Sequence, residues 1–189
     1  FGPIKINDSG DVIDGMSMGS AGMAIPSIVD HLEFEEHSAD FILVVETSAM
    51  VNRLVEEDFH EEHNAIIIGT GGQPARGARR LINMMHNELD LPVYVFTDGD
   101  PWGYYIYSVL KSGSMSLAFQ SDRLATPDAK LIGMTMEDIE AYDLHHVTED
   151  LKGKPKDSGG PTKDYKRIHD VMEYDWMQKE DWQKQFKKM

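Results

Sequence analysis

Two stretches decide the fold of this chain: Phe41-Ile42-Leu43-Val44-Val45-Glu46 and Val93-Tyr94-Val95-Phe96-Thr97-Asp98-Gly99-Asp100. Each begins with a short run of β-branched and aromatic residues, which is typical of a strand buried on both faces in a parallel sheet. Each run is followed closely by carboxylates. Because the carboxyl ends of parallel strands meet at one edge of a sheet, where ligands bind, we expect these carboxylates to lie near one another.

The three carboxylates at this predicted edge are Glu46, Asp98 and Asp100. Three such groups repel one another, and a hard divalent cation would neutralise them, so the sequence predicts a Mg²⁺ site. Sharing one ion requires adjacent strands, because next-but-one strands lie about 10 Å apart. A flavodoxin-like order 2-1-3 makes the two strands neighbours. A structural interpretation also stands for each residue, as helix cap, turn residue or solvated strand end.

The alternation of strands and helices predicts an α/β fold with a doubly wound, mostly parallel sheet. The predicted strands are 41–45, 65–68, 93–97, 116–119 and 131–134. The predicted helices run from 48 to about 59, from 74 to about 87 and from 101 to about 110, and residues 135–138 resemble a capping box that opens a fourth, short helix. Asp100 is the expected cap of the helix that Pro101 begins.

The segments outside this core have a different character. Residues 1–40 are expected to form an N-terminal extension with a hairpin of 4–6 and 11–13, packed on the core at 41–150. Residues 151–189 are expected to hold a flexible basic linker and then one or two amphipathic helices. The apolar residues of those helices are Val171, Tyr174, Trp176, Trp182 and Phe186.

Composition excludes several classes of protein. With 41% hydrophobic residues the chain can build a core, so wholesale disorder is excluded. It has no cysteine, which excludes disulfides, thiolate zinc sites and a thiol nucleophile. The net charge of -15 argues against general nucleic-acid binding but leaves room for a local basic groove. No signal peptide or apolar run of membrane-spanning length is present, so we expect a cytoplasmic protein without a membrane partner.

A glycine-rich turn precedes the densest basic group of this acidic chain. Residues 69–72 follow a predicted strand and lead into a helix, where backbone N–H groups could bind an anion. The turn is neither a Walker A loop nor a good dinucleotide fingerprint, because Pro74 stands where the third glycine belongs. Arg76, Arg79 and Arg80 follow it. They either contact a phosphate backbone or form the solvated face of a helix.

The strings around the carboxylates resemble a known family. Val45-Glu46 and Asp98-Gly99-Asp100, each after a strand of one sheet, resemble the Toprim domain that topoisomerases and bacterial primases share. The longer strings at 96–103 (Phe-Thr-Asp-Gly-Asp-Pro-Trp-Gly) and 71–76 (Gly-Gly-Gln-Pro-Ala-Arg) are similar to the A subunit of DNA topoisomerase VI and its relative, the meiotic double-strand-break transesterase. The resemblance covers nearly the whole chain. It implies a Toprim fold with strand order 2-1-3-4.

The resemblance also implies a function. The family is an ATP-dependent type IIB DNA topoisomerase, an isomerase whose A subunit cuts both strands for passage and religation and whose B subunit hydrolyses ATP. By this resemblance Glu46 assists acid/base chemistry and binds metal, and Asp98 and Asp100 hold Mg²⁺. The implied partners are DNA, a second copy bound through the Toprim region, and the B subunit. The family's nucleophilic tyrosine belongs to a winged-helix domain that we expect to be missing before Phe1, so no nucleophile is assigned and the chain is expected not to cleave DNA alone.

Three other functions stay open at this point. One is a Toprim nuclease or a primase-like protein, against which the strings at 96–103 and 71–76 argue. Another is a flavodoxin-like regulatory module that binds phosphate at residues 69–72 without needing Glu46 or Asp98. The last is a dimerisation scaffold. Tyr104, Tyr105 and Tyr107, which share one short helix, are expected to pack rather than to act as nucleophiles.

Overall fold

The computed structural model describes residues 1–148, 163–178 and 183. The strands in this part of the chain are β1 Ile4–Asp8, β2 Asp11–Asp14, β3 Leu32–His37, β4 Phe41–Val45, β5 Ala65–Gly69, β6 Val93–Phe96 and β7 Lys130–Gly133. The α-helices are α1 Ser48–Glu56, α2 Phe59–Glu62, α3 Arg76–Leu89, α4 Pro101–Ser112, α5 Ser121–Leu124, α6 Met136–Ala141 and α7 Lys163–Met172. Short 3₁₀ helices span Gly19–Ala21, Met115–Gln120, Leu144–Val147 and Asp175–Gln178.

A four-stranded parallel sheet in the order β5-β4-β6-β7 forms the centre of the chain. Val45 at the end of β4 lies beside Gly69 of β5 on one side and beside Phe96 of β6 on the other. This confirms the prediction that the strand at 41–45 lies between those at 65–68 and 93–97. The doubly wound α/β class is also confirmed, and it places the two carboxylate-bearing strand ends side by side.

The sequence prediction was wrong for the fourth strand of the parallel sheet. Residues 116–119, predicted as a strand, lie in the 3₁₀ helix Met115–Gln120, and β7 takes the place beside β6. The order 2-1-3-4 therefore holds only when β7 is counted as the fourth strand. This segment bonds its own backbone instead of a neighbouring strand, since the Leu117 N–H donates to the Ser114 carbonyl at 3.0 Å. Phe119 stays 80% exposed.

The two faces of the sheet are covered by different helices. Alternate residues of a strand point to opposite faces, so a strand covered on both sides needs an unbroken apolar run. On one face Ile42, Val44 and Val95 pack in a cluster with buried residues of α3 and α4. On the other face Leu43 and Val45 pack with Val51 of α1 and with apolar residues beside it.

The helix predicted over 48–59 is shorter than expected. α1 ends at Glu56, and Asp58 adopts a left-handed conformation with φ 52°, which interrupts the helix before α2 begins. The predicted apolar face is confirmed, since Val51 is buried and Met50, Leu54 and Val55 pack against the same cluster.

Residues 1–40 hold more structure than the predicted hairpin. β1 and β2 pair antiparallel as predicted, and β3 pairs antiparallel with the other side of β1. The sequence pattern did not predict β3, because only Leu32 of its six residues is buried. Ile4, Ile6 and Leu32 belong to the same buried cluster as Ile42 of the parallel sheet. The three-stranded sheet is therefore packed on the core rather than standing apart from it.

The described residues after position 162 pack on the core through α7. Ile168 and Val171 are buried with Tyr104 of α4 and with Met177, and Tyr174 packs against this cluster. The amphipathic prediction is thus confirmed for Val171 and Tyr174. The predicted linker at 152–161, Trp182 and Phe186 lie outside the described residues. Among the helices that are described, none has the length and apolar character needed to cross a membrane.

Candidate functional site

Glu46 and Asp98 meet at the carboxyl edge of the parallel sheet. The backbone N–H of Glu46 donates to the Phe96 carbonyl at 3.0 Å, which extends the ladder between β4 and β6 by one residue. The backbone N–H of Asp98 donates to Glu46 Oε2, also at 3.0 Å. The sequence expectation that these two residues lie near one another is therefore met, and a hydrogen bond fixes their relative position.

Asp100 has a structural task at the start of α4. Its Oδ1 accepts a hydrogen bond from the Gly103 N–H at 2.7 Å, and Pro101 occupies the first turn, as the sequence predicted. This bond satisfies one of the free N–H groups at the helix N-terminus. A carboxylate has two oxygens, so Oδ2 of Asp100 keeps acceptor capacity for another group.

Gly103 allows the first turn of α4 to lie against the end of β6. A Cβ at this position would stand 2.1 Å from the Asp98 carbonyl oxygen and 2.9 Å from Thr97 Oγ1. Only glycine fits such a close approach. The position of Asp98 therefore depends on the backbone of α4 as well as on its bond to Glu46.

The acidic site is electrostatically unfavourable without a cation. Burial raises the pKa of Glu46, the hydrogen bond from the Asp98 N–H opposes this, and the charges of Asp98 and Asp100 raise the pKa further. Burial also raises the pKa of Asp98, with a further contribution from the charge of Asp100. Both shifts mean that a negative charge is harder to hold at this edge than in water.

The donor set suits a hard cation with a partly hydrated coordination shell. Within the described residues, no three His, Asp or Glu side chains form a group that could hold a metal ion by themselves. The predicted site is thus not a closed three-carboxylate cage, and Asp100 already caps α4. Mg²⁺ commonly binds through one or two carboxylates while it keeps waters and takes phosphate oxygens from a substrate. Glu46 and Asp98 fit that mode.

Neutralising one carboxylate should stabilise the metal-free chain. Because the pKa of Glu46 is raised in the folded state, the folded chain binds more protons than the unfolded chain between the two pKa values, and stability falls as pH rises through that window. Glu46→Gln keeps an acceptor for the Asp98 N–H but removes the charge. We expect its melting temperature at pH 7.5 in EDTA to rise by about 1–2 °C, a small shift because Glu46 is partly solvated.

The control in this melting experiment is Glu88→Gln, because Glu88 is an exposed residue of α3. The gain from Glu46→Gln should shrink at pH 4, where the wild-type carboxyl also carries a proton. An equal gain at both pH values would contradict the electrostatic explanation.

The three predicted DNA-binding arginines lie in different surroundings. Arg76 Nε donates to Gln120 Oε1 at 2.7 Å, and Arg80 Nε donates to Asp30 Oδ1 at 2.8 Å. Arg79 is only 4% exposed, and its Nη1 donates to Ser114 Oγ at 3.3 Å. Burial lowers the pKa of Arg79. The group is therefore not the uniform solvated helix face that the alternative interpretation required.

Sequence reasoning missed Asp30, which bridges two arginines. Besides Arg80, Arg123 Nη2 donates to the same Oδ1 at 2.5 Å. The hydrogen bond from Arg80 holds the pKa of Asp30 below its usual value. Asp30 is separated from these partners by 50 and 93 positions, and no local motif announces such a contact.

The glycine-rich turn after β5 uses its amides within the fold. The Thr70 N–H donates to the Val45 carbonyl and the Gly72 N–H donates to the Glu46 carbonyl, both at 2.9 Å. These two donors are not free for an anion, which weighs against the phosphate-binding module. The turn instead holds the backbone of Glu46 from the β5 side.

The tyrosines of α4 pack as the sequence predicted. Tyr104 is fully buried, and the Tyr107 hydroxyl donates to the Ala129 carbonyl at 3.0 Å. Burial raises the pKa of both phenols, which disfavours the phenolate form that a nucleophile requires.

Two family models match the chain. One, described as the all-beta domain in DNA topoisomerase VI alpha subunit, covers residues 1–38. The other, described as the Toprim domain of the topoisomerase 6 A subunit and Spo11, covers residues 41–189.

Relatives named as the A subunit of type 2 DNA topoisomerase 6 agree with these matches. The protein from Pyrococcus abyssi is 52% identical over 188 residues, which are 99% of this chain and 49% of the relative. The protein from Hyperthermus butylicus is 40% identical over 188 residues, 96% of this chain and 47% of the relative. The protein from Halobacterium salinarum is 51% identical over 127 residues, 67% of this chain and 35% of the relative.

The chain spans about half the length of the curated relatives it matches. The Asp-Gly-Asp-Pro-Trp-Gly string, the parallel sheet with Glu46 beside Asp98 and the match over residues 41–189 lead to one assignment. The chain belongs to the family of the topoisomerase 6 A subunit and Spo11, and residues 41–189 carry its Toprim domain.

Proposed function

We propose that this chain is the metal-binding Toprim region of the DNA-cleaving A subunit of an ATP-dependent type IIB DNA topoisomerase. The observation that supports this most directly is the contact between the Asp98 N–H and Glu46 Oε2 at 3.0 Å. It gathers two carboxylates with raised pKa at the ligand-binding edge of a parallel sheet. Such an arrangement costs stability unless a cation or a proton offsets it.

Each residue of the site has a distinct proposed role. Glu46 gives a proton to the leaving oxygen during cleavage and takes it back during religation, for which a carboxyl with a raised pKa is suited. Glu46 and Asp98 hold Mg²⁺, and Asp100 contributes through its second oxygen while it caps α4. When bound, the ion stabilises negative charge on the scissile phosphate and on the leaving oxygen.

The proposed DNA contacts come from the arginines at the start of α3. Arg76 is the member best placed to contact a phosphate, because its hydrogen bond within the described residues goes to an uncharged amide and it is not fully buried. Arg80 would have to release Asp30 before it could bind a phosphate. Arg79 is buried, so it would contribute its positive charge from inside the fold. These residues bring positive charge to an otherwise acidic body.

The remaining parts of the proposal concern the assembly. The B subunit would supply ATP hydrolysis, a second copy would bind through the Toprim region, and the complex would work on DNA in the cytoplasm.

Residues 1–40 would serve as an extension packed on the core at 41–150, and residues 151–189 as a linker and C-terminal helices. The 189-residue chain alone would not cut DNA, since neither buried tyrosine of α4 is a suitable nucleophile.

Magnesium binding by the chain itself tests the proposed site. In isothermal titration calorimetry the wild type should bind Mg²⁺ with a dissociation constant of roughly a millimolar or somewhat less, because such sites keep several waters. Asp98→Ala should weaken binding most, and the double variant Glu46→Ala, Asp98→Ala should abolish it. Glu88→Ala, on the exposed side of α3, is the matched control. Unchanged binding in the double variant would rule out this site.

Replacing Arg76 should reduce DNA affinity in a salt-dependent way. In the complete complex of A and B subunits, Arg76→Ala should lower the slope of log affinity against log salt by about one, since one phosphate contact is lost. Arg53→Ala is the matched control, because Arg53 is exposed on α1 and pairs with Glu56 and Glu57. Fluorescence anisotropy on duplex DNA at several salt concentrations measures the slope. If both variants gave the wild-type slope, Arg76 would not contact DNA.

A further inference from the structure

α7 is clamped onto the first turn of α4 by two contacts to Trp102. The indole Nε1–H of Trp102 donates to Asp164 Oδ1 at 2.7 Å. The guanidinium carbon of Arg167 lies 4.4 Å from the centroid of the Trp102 ring and 4.2 Å from that of Tyr105. One cation therefore stacks on two rings that are themselves edge-to-face at 6.2 Å.

This contact is partly shielded from water. The Arg167 side chain is 24% exposed, and Asp170 one turn later stands 3.7 Å from it. The neighbouring residues Ile168 and Val171 are buried against Tyr104. Cation–π contacts strengthen when they lose water, so this one favours a single docked position of α7.

Trp102 connects this clamp to the acidic site through the backbone of its chain neighbours. Gly103, which follows Trp102, holds the Asp100 carboxylate through its N–H at 2.7 Å. The same glycine leaves no room for a Cβ against the Asp98 carbonyl oxygen. A change in the position of Trp102 therefore shifts the backbone that carries both Asp98 and Asp100.

We propose that Asp164 and Arg167 are positioning residues for the acidic site, acting through Trp102. Among the described residues, no hydrogen bond or ion pair joins them to the three carboxylates, and their effect is to keep the loop at 98–100 in the conformation that presents Asp98 and Asp100. The inference rests on the proposed function insofar as Mg²⁺ is the ligand of that loop. It adds a requirement for α7, whose residues lie more than 60 positions after the loop.

Nuclear magnetic resonance on the 189-residue chain tests this proposal with two readouts. The first is hydrogen exchange of the Gly103 amide, measured without metal. It reports opening of the hydrogen bond by which Asp100 caps α4. The second is the Mg²⁺ dissociation constant from the amide shifts of residues 98–100, 102 and 103. In Asp164→Ala and Arg167→Met we expect exchange about threefold to tenfold faster and Mg²⁺ binding weaker by a similar factor, since each lost contact is worth about that much.

Conservative and neighbouring variants separate positioning from general stability. Asp164→Asn retains an oxygen that accepts from the Trp102 indole, so it should restore both readouts close to wild type. Lys166→Met, on the exposed side of α7, should change neither. If Arg167→Met does not fold, the Asp164→Ala and Asp164→Asn pair decides alone.

Two results would overturn the positioning role. One is a lower melting temperature with wild-type exchange at Gly103 and wild-type Mg²⁺ affinity. The other is equal behaviour of Asp164→Ala and Asp164→Asn. If the wild type binds no Mg²⁺ the metal proposal fails, and the exchange of Gly103 still decides whether α7 positions the loop.

Discussion

Asp98→Asn should lower DNA cleavage by the complete complex of A and B subunits by at least about a hundredfold. Asparagine has nearly the same size, and its backbone N–H can still donate to Glu46 Oε2. The substitution removes the negative charge that would hold the cation against the scissile phosphate. Single-turnover cleavage of supercoiled DNA, with the covalent protein–DNA product quantified, measures the loss.

Asp90→Asn is the control for this experiment. Asp90 lies at the C-terminal end of α3. It has a left-handed conformation with φ 54°, which asparagine tolerates. DNA binding by Asp98→Asn should be unchanged or stronger, because one negative charge is lost near the phosphate. Cleavage at the wild-type rate by Asp98→Asn would show that the carboxylate pair of β4 and β6 is not the cleavage site.

Gly103→Ala should destabilise the chain although alanine is the better helix former. Helix propensity favours alanine over glycine by about 1 kcal/mol inside a helix. Here the new Cβ would stand 2.1 Å from the Asp98 carbonyl oxygen, so the backbone of α4 or of β6 must move. We expect a net loss of about 2 kcal/mol or more in the free energy of unfolding, together with loss of Mg²⁺ binding. Urea denaturation and calorimetry measure the two effects.

Gly99→Ala provides the graded comparison for this prediction. Its Cβ would meet Ile139 Cδ1 at 3.1 Å and Met134 Cγ at 3.2 Å, atoms of side chains that can shift, although the Met134 carbonyl oxygen is also near at 3.3 Å. We expect a smaller loss of stability than in Gly103→Ala. A stability gain in Gly103→Ala would contradict the close approach between α4 and the end of β6.

The sequence alone was sufficient for the centre of this fold. An unbroken apolar run predicts a strand covered on both faces, and β4, β5 and β6 lie where such runs stand. Asp100 before Pro101, and Thr135 before Asp138, are local capping signals, and both caps are present. Such features depend on residues within about four positions of each other, so the sequence displays them directly.

The arginines show where sequence reasoning reaches its limit. Three arginines within five positions look alike in the sequence, yet one is buried, one bonds Gln120 and one bonds Asp30. Each of them bonds a side chain that lies 35 to 50 positions away. Side-chain burial at a helix surface depends on which element covers it, and helical periodicity alone does not name that element.

The same reason explains the two strands that the sequence misjudged. β3 is mostly exposed and acidic, and it is a strand because β1 offers it a free edge to pair with. Residues 116–119 contain the apolar run Leu117-Ala118-Phe119, and they are not a strand because β7 pairs with β6 instead. Edge pairing is decided by the partners that tertiary structure brings within hydrogen-bonding distance.

For the candidate site, the sequence determined which residue types stand at the ends of β4 and β6, because carboxylates after apolar runs can be read from the chain. Tertiary structure decided that the Asp98 N–H bonds Glu46, that Gly103 lies against the Asp98 carbonyl and that α7 stacks Arg167 on Trp102. The first and the last of these contacts join residues that are far apart along the chain. Only the packing of the sheet, α4 and α7 sets such distances, since the chain itself constrains only near neighbours.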